Sequence, residues 1–329
     1  MAFPHLLELD GVTTDLSLAE GTLRAVDGIS FVIDAGETLG IVGESGSGKS
    51  MTALSIMRLL PRSGRIVEGS IKFKGKVLSE IAEDEMEAIR GTEIAMIFQD
   101  PMTSLNPVYR TGWQVGEPLR IHRDADADAA IAGATDLFKQ VGIPDAKRRV
   151  RQFPHMFSGG MRQRAMIAMG LSMSPSLLIA DEPTTALDVT IQAQILDLLR
   201  TLNREHGTAT ILITHNLGVV AGMCDRVIVM YAGRIVEQGR TEDVFSHPEH
   251  PYTWSLLRSI PRLDAEAHDP LLPIQGSPPD MVHLPPGCKF HPRCPFAVTR
   301  CSQEEPSLLQ VREQLARCWV TQAGTQLSA

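Results

Sequence analysis

The chain has 329 residues, of which 43% are hydrophobic, and a formal net charge of −8. This length suits one large domain or two modest ones with a real core, and the acidic balance without a long basic run disfavours a nucleic acid partner. The first residues lack a charged segment followed by an apolar one, and no apolar run reaches the ~18 residues that a membrane span needs. We therefore expect a cytosolic chain.

Three short segments flanked by Gly and Asp, at 6–10, 26–33 and 71–74, predict a small antiparallel sheet. A buried strand at 38–42 leads into the pattern G-E-S-G-S-G-K-S, which matches the phosphate-binding consensus G-x-x-x-x-G-K-S/T. Apolar residues at helical spacing follow as far as Leu60. The predicted phosphate loop consists of Gly43, Glu44, Ser45, Gly46, Ser47, Gly48, Lys49 and Ser50.

The residue types of this loop suit a phosphate. Glycines let successive backbone N–H groups turn toward one anion, and the helix N-terminus adds a partial positive charge. Lys49 can reach the outer phosphates, and the Ser50 hydroxyl can hold Mg²⁺. The loop therefore predicts nucleotide binding.

The middle of the chain begins with a buried strand at 93–99 that ends at Gln99. A loop rich in Pro and Asn follows at 100–107, and the pattern from 113 to about 151 is mainly helical. We interpret this stretch as a helical insertion. Three aspartates between 124 and 128 predict a solvated face on it.

Strands and helices alternate in the next hundred residues. Ser158 can cap a helix that begins at the two glycines after it. Strands are predicted at 177–182, 210–214 and 227–231, with a helix at 190–204. This alternation favours a parallel sheet with right-handed crossovers.

Two carboxylates end the strand at 177–182. Asp181 can hold the Mg²⁺ that bridges the phosphates, and Glu182 can polarise a water for in-line attack on the γ-phosphate. A phosphate loop alone fits kinases, GTPases and many ATPases. Together with Ser158-Gly159-Gly160 upstream and His215 at a strand end downstream, this carboxylate pair forms a much rarer set of residues than the phosphate loop alone.

After about Arg240 the composition shifts to recurrent prolines, which predict a loop-rich extension and not a second α/β core. Four cysteines fall in the last 42 residues with the spacing C-x5-C-x6-C-x16-C, namely Cys288, Cys294, Cys301 and Cys318. Four thiolates suit a tetrahedral soft-metal site, although the spacing is not that of a zinc ribbon, and free thiols without metal are the alternative. Cys224 stands apart and is interpreted as a buried small apolar residue.

Through these motifs, the sequence resembles the nucleotide-binding subunits of ATP-binding-cassette (ABC) transporters. The resemblance covers nearly the whole chain: 43–50 is similar to Walker A, Gln99 to the Q-loop, 157–161 to the signature motif, 177–182 to Walker B, 186–188 to the D-loop and His215 to the switch histidine. Phe157 and Met161 replace the usual Leu and Gln, and Asn216 the usual Asp. The place of the adenine-stacking aromatic falls near Leu16.

The segments 95–107, 181–190, 250–253 and 287–295 look like the dipeptide/oligopeptide importer branch, and most like its D-type ATPase subunits. The fold implied is α/β, a P-loop ABC ATPase with a RecA-like core, an antiparallel β subdomain, a helical subdomain and a C-terminal Cys-rich extension. The implied domains are the ATPase at 1–240, with the helical subdomain at about 100–165, and the extension at 241–329.

The resemblance also implies roles for residues. Glu182, His215 and Gln99 would be catalytic, Ser50, Gln99 and Asp181 would hold Mg²⁺, and Asp188 would belong to the D-loop. The signature would complete the ATP site of a partner subunit in trans, through Ser158, Gly159, Gly160 and Met161.

The function implied is ATP hydrolysis that drives import of dipeptides or oligopeptides from the cytoplasmic face of the cell membrane. The implied partners are a second, paralogous ATPase subunit, two membrane permeases and a periplasmic or lipoprotein peptide-binding protein. For the four tail cysteines the resemblance implies a 4Fe–4S cluster, with structural zinc as the alternative.

Other functions stay open. Instead of a peptide, the importer could transport another small solute, such as nickel, which related importers carry. A soluble ABC ATPase acting on ribosomes or DNA is a second class, but it usually has two cassettes or long coiled coils. A P-loop kinase or GTPase is a third class, disfavoured by the signature glycines and by Glu182.

Overall fold

The computed structural model describes residues 4–100, 104–185, 187–259 and 274–327. Predictions that concern 101–103, Ala186 of the D-loop and the prolines within 260–273 lie outside these ranges. The chain divides into two compact units. Unit 1 comprises Met1–Leu7, Val32–Thr38 and Lys72–Ile213, and unit 2 comprises Glu8–Phe31, Leu39–Ile71 and Thr214–Ala329.

The described strands and helices are numbered in chain order. The strands are β1 Leu7–Leu18, β2 Gly21–Ile33, β3 Thr38–Val42, β4 Gly64–Phe73, β5 Lys76–Val77, β6 Ile94–Ile97, β7 Leu177–Asp181, β8 Ala209–Ile213, β9 Arg226–Tyr231, β10 Arg234–Arg240, β11 Leu309–Val311 and β12 Gln314–Ala316. The helices are α1 Lys49–Met57, α2 Glu83–Ile89, α3 Thr111–Val115, α4 Glu117–Arg123, α5 Ala127–Gln140, α6 Ala146–Arg149, α7 Gly159–Leu171, α8 Val189–His206, α9 Leu217–Met223, α10 Thr241–Ser246, α11 Pro251–Arg258 and α12 Trp319–Gln322.

Unit 1 is built on three parallel strands. β6 pairs with β7, and β7 pairs with β8, with Leu177 opposite both Ile94 and Ala209. All five residues of β7 and of β8 are buried, which explains their continuous apolar sequence. The parallel pairing predicted for this region is confirmed. It places the residues that follow β6 and β7 at the same edge of the sheet.

A helical layer completes unit 1, in agreement with the predicted insertion. α7 packs against β6, α5 and α8, while α3 packs against α5 and α7. Phe138 of α5 is fully buried and meets Phe157 edge-on, with ring centroids 6.0 Å apart. Burial of two such rings stabilises the layer by several kcal/mol, since truncating a buried Phe costs ~3–5 kcal/mol. Asp126 lies at the exposed start of α5 and caps it by accepting from Ala129 N at 2.8 Å.

The sheet near the N-terminus is longer than predicted. β1 and β2 are neighbours, and so are β1 and β4, but β1 extends through Thr13, Thr14 and Asp15, where the sequence prediction ended the strand at residue 10. These polar residues are buried because their side chains are hydrogen-bonded. The Thr14 hydroxyl pairs with that of Ser55 at 2.8 Å, and Thr13 Oγ1 accepts from Gly28 N at 3.1 Å.

The larger sheet of unit 2 has the strand order β11-β12-β10-β9-β3. β3 and β9 are parallel, and the other neighbours are antiparallel. The prolines after Arg240 predict only a loop-rich extension, yet β11 and β12 of that extension return to this sheet. There β12 pairs with β10 through Ala316 and Glu237.

Among the described residues, no helix combines the length and the apolar character required to cross a membrane.

Candidate functional site

The phosphate loop of unit 2 joins β3 to α1, as the sequence predicts. Its backbone has positive φ at Gly46 (78°) and Gly48 (102°), where L side chains are strained. A Cβ atom would lie 2.2 Å from Met230 O at Gly43 and 2.4 Å from Ala25 O at Gly48. Glycine is therefore required at 43 and at 48 by both space and conformation, since Gly43 also has a positive φ of 153°.

Lys49 is the first residue of α1 and is almost fully buried. Its Nζ donates hydrogen bonds to Gly43 O at 2.8 Å and to Glu44 O at 2.9 Å. The ammonium is thus held across the loop by two backbone carbonyls, which fixes its position before any phosphate binds. No side chain caps α1, so an anion can accept from its first N–H groups.

The other loop residues differ in exposure. Ser45 and Gly46 are exposed at the tip, while Ser47 is buried and its carbonyl accepts from Gly233 N at 3.0 Å. Ser50 is the second residue of α1 and is partly exposed, so its hydroxyl is accessible to a cation. Leu16, at the expected position for adenine stacking, lies on β1 and is partly exposed.

The two predicted carboxylates lie at the end of β7 in unit 1. Asp181 is the last residue of the strand and is buried. Glu182 follows with φ 45°, a left-handed conformation that costs on the order of 1 kcal/mol for a residue with a side chain. Its backbone N–H donates to Ile213 O at 2.9 Å, which holds the turn against the end of β8.

Two donors orient the Glu182 carboxylate. Gln99 Nε2 donates to Glu182 Oε2 at 3.0 Å, and Thr185 Oγ1 donates to the same oxygen at 2.8 Å. The structure therefore brings together Gln99, which follows β6, and Glu182, which follows β7. The sequence predicts these two residues from separate motifs. The structure also adds Thr185, which had been noted only as part of a family pattern. Donors aimed at a carboxylate fix its direction.

The signature residues of unit 1 lie at the start of α7. Ser158 is the N-cap residue, and its Oγ accepts from Met161 N at 3.3 Å. A Cβ on Gly160 would lie 2.7 Å from Ile191 Cγ2, so α7 approaches α8 closely there. Ser158 and Gly159 are exposed, which leaves this helix N-terminus accessible. Asp188 caps α8 by accepting from Ile191 N at 2.9 Å and is also exposed.

His215 lies in unit 2 on the turn between Thr214 and α9, and it is exposed. Thr214 N donates to Ile41 O at 3.2 Å, so this turn is tied to β3 just before the phosphate loop. Asn216, in place of the usual Asp, caps α9 by accepting from Gly218 N at 3.0 Å. The amide thus performs the capping that a carboxylate would perform.

Two residues of the C-terminal extension contact the phosphate loop, and the sequence analysis assigned neither of them to the site. The Glu44 N–H donates to the Tyr252 hydroxyl at 2.7 Å, and the Glu44 carboxylate pairs with Arg293. Both had been quoted only as parts of family patterns. No local signal could have connected them to Glu44, since they lie 208 and 249 residues away along the chain.

The four tail cysteines come together in unit 2. All of them are free thiols, with Cys301 and Cys318 buried, and Cys288 N donates to Cys301 O at 2.8 Å. Burial raises the pKa of Cys294 to about 12 and of Cys288 to about 11, and in both cases the charges of neighbouring tail cysteines raise it further. Nevertheless, no three His, Cys, Asp or Glu side chains within the described ranges are arranged to hold a metal ion.

Cys224, the fifth cysteine, is also a buried free thiol. Burial raises its pKa to about 12, and its Sγ packs against Gly40 of β3. The interpretation of Cys224 as a buried apolar residue is confirmed.

The parallel strands, the glycine loop and the strand-end carboxylates define the class of P-loop nucleotide-binding proteins. Residues 26–185 match the family model described as "ABC transporter", and residues 236–301 match "Oligopeptide/dipeptide transporter, C-terminal region". The chain is 52% identical over 318 residues to the oligopeptide transport ATP-binding protein OppD of Haemophilus influenzae, covering 96% of this chain and 97% of that protein. It is also 52% identical over 301 residues to OppD of Salmonella typhimurium, covering 92% of this chain and 89% of the relative.

Among solved structures, the chain is similar to the ATP-binding cassette MJ0796, whose dimer was determined in a post-hydrolysis state bound to ADP and Pi. The TM-score is 0.65 with 27% identity, over 71% of this chain and 98% of that one. The chain belongs to the ABC transporter ATP-binding proteins of the oligopeptide/dipeptide importer family. It is an ATP-binding subunit with the mixed α/β cassette fold and the ATPase activity of that class.

Proposed function

We propose that this chain is a motor subunit that uses ATP hydrolysis to drive import of dipeptides or oligopeptides. The observation that carries the proposal is the Glu182 carboxylate, held by Gln99 and Thr185 at the end of β7, in a chain that also contains a preformed phosphate loop. The identity to OppD along nearly the whole chain supports the peptide substrate over nickel or another small solute.

The phosphate loop would bind the ATP phosphates through its N–H groups, Lys49 and the N-terminus of α1. Ser50, Asp181 and Gln99 each carry an oxygen donor of the type that Mg²⁺ takes and would hold the ion, which would neutralise charge on the phosphates. Glu182 would accept a proton from the attacking water. Gln99 would orient the Glu182 carboxylate and that water. His215 would donate to the γ-phosphate as it leaves.

The exposed start of α7 supports a site shared between two subunits. Ser158 Oγ and the N–H groups of Gly159, Gly160 and Met161 would complete the phosphate site of a paralogous ATPase, whose own α7 would complete this one. Asp188, also exposed, would face the same interface. A composite site of this kind makes hydrolysis depend on subunit association.

The remaining partners would be two permeases and a peptide-binding protein, with the ATPase at the cytoplasmic face of the membrane. In unit 1, Val108 in the loop before α3 is 72% exposed and Ile121 of α4 is 63% exposed, and these apolar side chains are suited to contact with permease loops.

Two measurements test the peptide assignment. The tagged chain, recovered from detergent-solubilised membranes, should retain two integral membrane proteins and a second ATPase. Cells that lack the chain should lose uptake of a labelled tripeptide while nickel uptake is unchanged. Loss of nickel uptake with normal tripeptide uptake would assign the chain to the other class of importer.

We also propose that Cys288, Cys294, Cys301 and Cys318 hold a 4Fe–4S cluster, with zinc as the alternative metal. Four thiols are the donor type that such a cluster takes, and the charges of neighbouring cysteines raise the pKa of Cys288 and Cys294, although the described side chains are not arranged around a metal ion. A soft cation would stabilise the thiolates that burial disfavours. The role would be structural, since ATP hydrolysis requires no electron transfer. A metal would cross-link four points of a segment with few regular elements.

Iron, labile sulfide and zinc should be assayed in the chain purified without oxygen. The cluster predicts about four irons per chain, lost in Cys294→Ser and kept in the control Cys224→Ser. Stoichiometric zinc without iron would replace the cluster by zinc, and absence of both metals would reject the metal site.

A further inference from the structure

A bidentate ion pair joins the C-terminal extension to the phosphate loop. Arg293 Nη1 donates to Glu44 Oε2 at 2.7 Å, and Nη2 donates to Oε1 at 3.0 Å. The Arg293 side chain is 5% exposed and that of Glu44 is 25% exposed, so the pair is largely shielded from solvent. Two parallel hydrogen bonds between a planar guanidinium and a carboxylate fix direction as well as distance.

Two tyrosines support this pair. The Tyr231 hydroxyl accepts from Arg293 Nη1 at 3.3 Å, while the Tyr252 hydroxyl accepts from the Glu44 N–H at 2.7 Å. Their rings pack against each other and against Phe290 at centroid distances of 4.7, 5.2 and 5.4 Å. All three rings are buried, so the hydroxyl of Tyr252 has little freedom to leave Glu44.

The position of Tyr252 is fixed in turn at the start of α11. The Glu237 carboxylate of β10 accepts from Glu249 N at 2.5 Å and from His250 N at 3.0 Å, the residues that precede the helix. Glu237 is fully buried, and its strand is a central member of the unit 2 sheet. The extension therefore contacts the loop from a rigid support.

Glu44 is held at three points. Arg293 holds its carboxylate, Tyr252 its N–H, and Lys49 Nζ donates to its carbonyl at 2.9 Å. The backbone of Glu44 thus connects the extension to the lysine of the phosphate loop. A rotation of Glu44 would break the contact that places Lys49.

We propose that Arg293 is a positioning residue for nucleotide binding: through Glu44 it holds the phosphate loop in the conformation that receives the ATP phosphates. The proposal rests on the assignment of residues 43–50 as the phosphate loop. It makes the C-terminal extension, between Cys288 and Cys294, a determinant of ATP affinity. A purely structural pair would anchor the extension without affecting the affinity of the loop.

The test is a double-mutant cycle on the full chain, with MgATP affinity measured by calorimetry. Arg293→Gln and Glu44→Gln should each weaken MgATP binding about 10-fold, and the double variant should be no weaker than either single one. Arg293→Lys keeps the charge but loses the fork, so it should recover part of the affinity. In the assembled transporter the KM for ATP should rise while kcat at saturating ATP stays within about 2-fold of wild type.

Arg300→Gln is the matched control, because Arg300 lies in the same extension but pairs with Glu304 and stacks on Trp319. It should bind MgATP as wild type does. If Arg293→Gln fails to fold, Glu44→Gln decides alone, since it leaves the extension intact.

Wild-type affinity in Glu44→Gln, or effects that multiply in the double variant, would overturn the proposal. Lys49→Ala separates this failure from failure of the loop assignment. Loss of MgATP binding in Lys49→Ala with normal affinity in the other variants rejects only the role of Arg293. Retained binding in Lys49→Ala rejects the loop itself.

Discussion

Gln99 Nε2 lies 3.0 Å from Glu182 Oε2, although the two residues are 83 positions apart in the chain. Adjacent parallel strands create this contact, because β6 and β7 end at the same edge of the unit 1 sheet. Gln99 follows β6, and Glu182 follows β7. The amide fixes the carboxylate without neutralising it. That is the arrangement expected for a group that must direct a water and accept its proton.

Replacing Glu182 by Gln should separate ATP binding from hydrolysis. The variant keeps the size of the side chain but loses the anion that accepts the proton, so the hydrolysis rate should fall by about 100-fold or more. ATP binding should persist, and closed ATPase dimers should accumulate. Phosphate release by the assembled transporter measures the first effect, and light scattering of the ATPase pair measures the second. Near-normal turnover would remove Glu182 from the catalytic role, and Glu205→Gln, on the exposed face of α8, is the control.

Ser158→Arg should impair a nucleotide site that belongs to the partner subunit. The bulky side chain would block the exposed start of α7, while the chain's own phosphate loop stays intact. The variant should bind MgATP alone as well as wild type does, but hydrolysis in the mixed ATPase pair should drop. Loss of the cap costs ~1 kcal/mol, so thermal unfolding should shift only slightly. Robust hydrolysis by the single wild-type chain, independent of its concentration, would contradict a composite site.

Gly48→Ala should destabilise the chain more than Gly46→Ala. Both glycines have positive φ, which costs an L side chain ~1–2 kcal/mol. Only at Gly48 would the new Cβ also meet a backbone oxygen, Ala25 O at 2.4 Å, whereas the space around Gly46 is open. Chemical denaturation of both variants measures the difference. Equal losses of unfolding free energy would mean that the loop relaxes at Gly48.

The pH dependence of stability should contain a contribution from Glu237. Burial raises its pKa from 4.5 to about 8, against the lowering effect of hydrogen bonds from Glu249 N and His250 N. The Glu249 carboxylate raises the pKa further. The folded state therefore binds the proton more tightly than the unfolded state. The stability that this group supplies is fully present below pH 4.5 and is lost as the pH rises through about 8.

The free energy of unfolding of wild type, measured relative to Glu237→Gln, should accordingly decline between pH 5 and pH 9 (roughly the window of this titration). The neutral buried His250 is present in both chains, so its own titration cancels in the difference. Glu242→Gln, on the exposed side of α10, should show no such trend. A difference between wild type and Glu237→Gln that is constant over this range would contradict the assigned pKa.

The sequence predicted those parts of the site whose signals are local. The glycine turn between β3 and α1 and the buried strand before Asp181 each depend on a few consecutive residues, and the structure has this turn and this strand where the pattern places them. Phosphate binding by the turn stays a prediction. β1 was predicted too short because Asp10 and Gly11 look like the end of a strand, whereas Thr13 and Thr14 continue it with buried hydrogen-bond partners.

The contacts made by the extension could not be predicted in this way. β11 and β12 have three residues each and exist through their pairing in the unit 2 sheet. The pair between Arg293 and Glu44 closes 249 residues of chain, and neither side chain carries a local sign of its partner. Side-chain pairs of this kind depend on tertiary packing, which composition and periodicity do not encode.

ATP hydrolysis by this chain is expected to drive peptide import. The most direct measurement uses proteoliposomes that contain the chain, the second ATPase and the two permeases, with phosphate release and uptake of a labelled oligopeptide recorded together. Both rates should rise when peptide-loaded binding protein is added, and both should be lost in Glu182→Gln. Peptide uptake that continues with the Glu182→Gln chain, or hydrolysis that is indifferent to the loaded binding protein, would contradict the account.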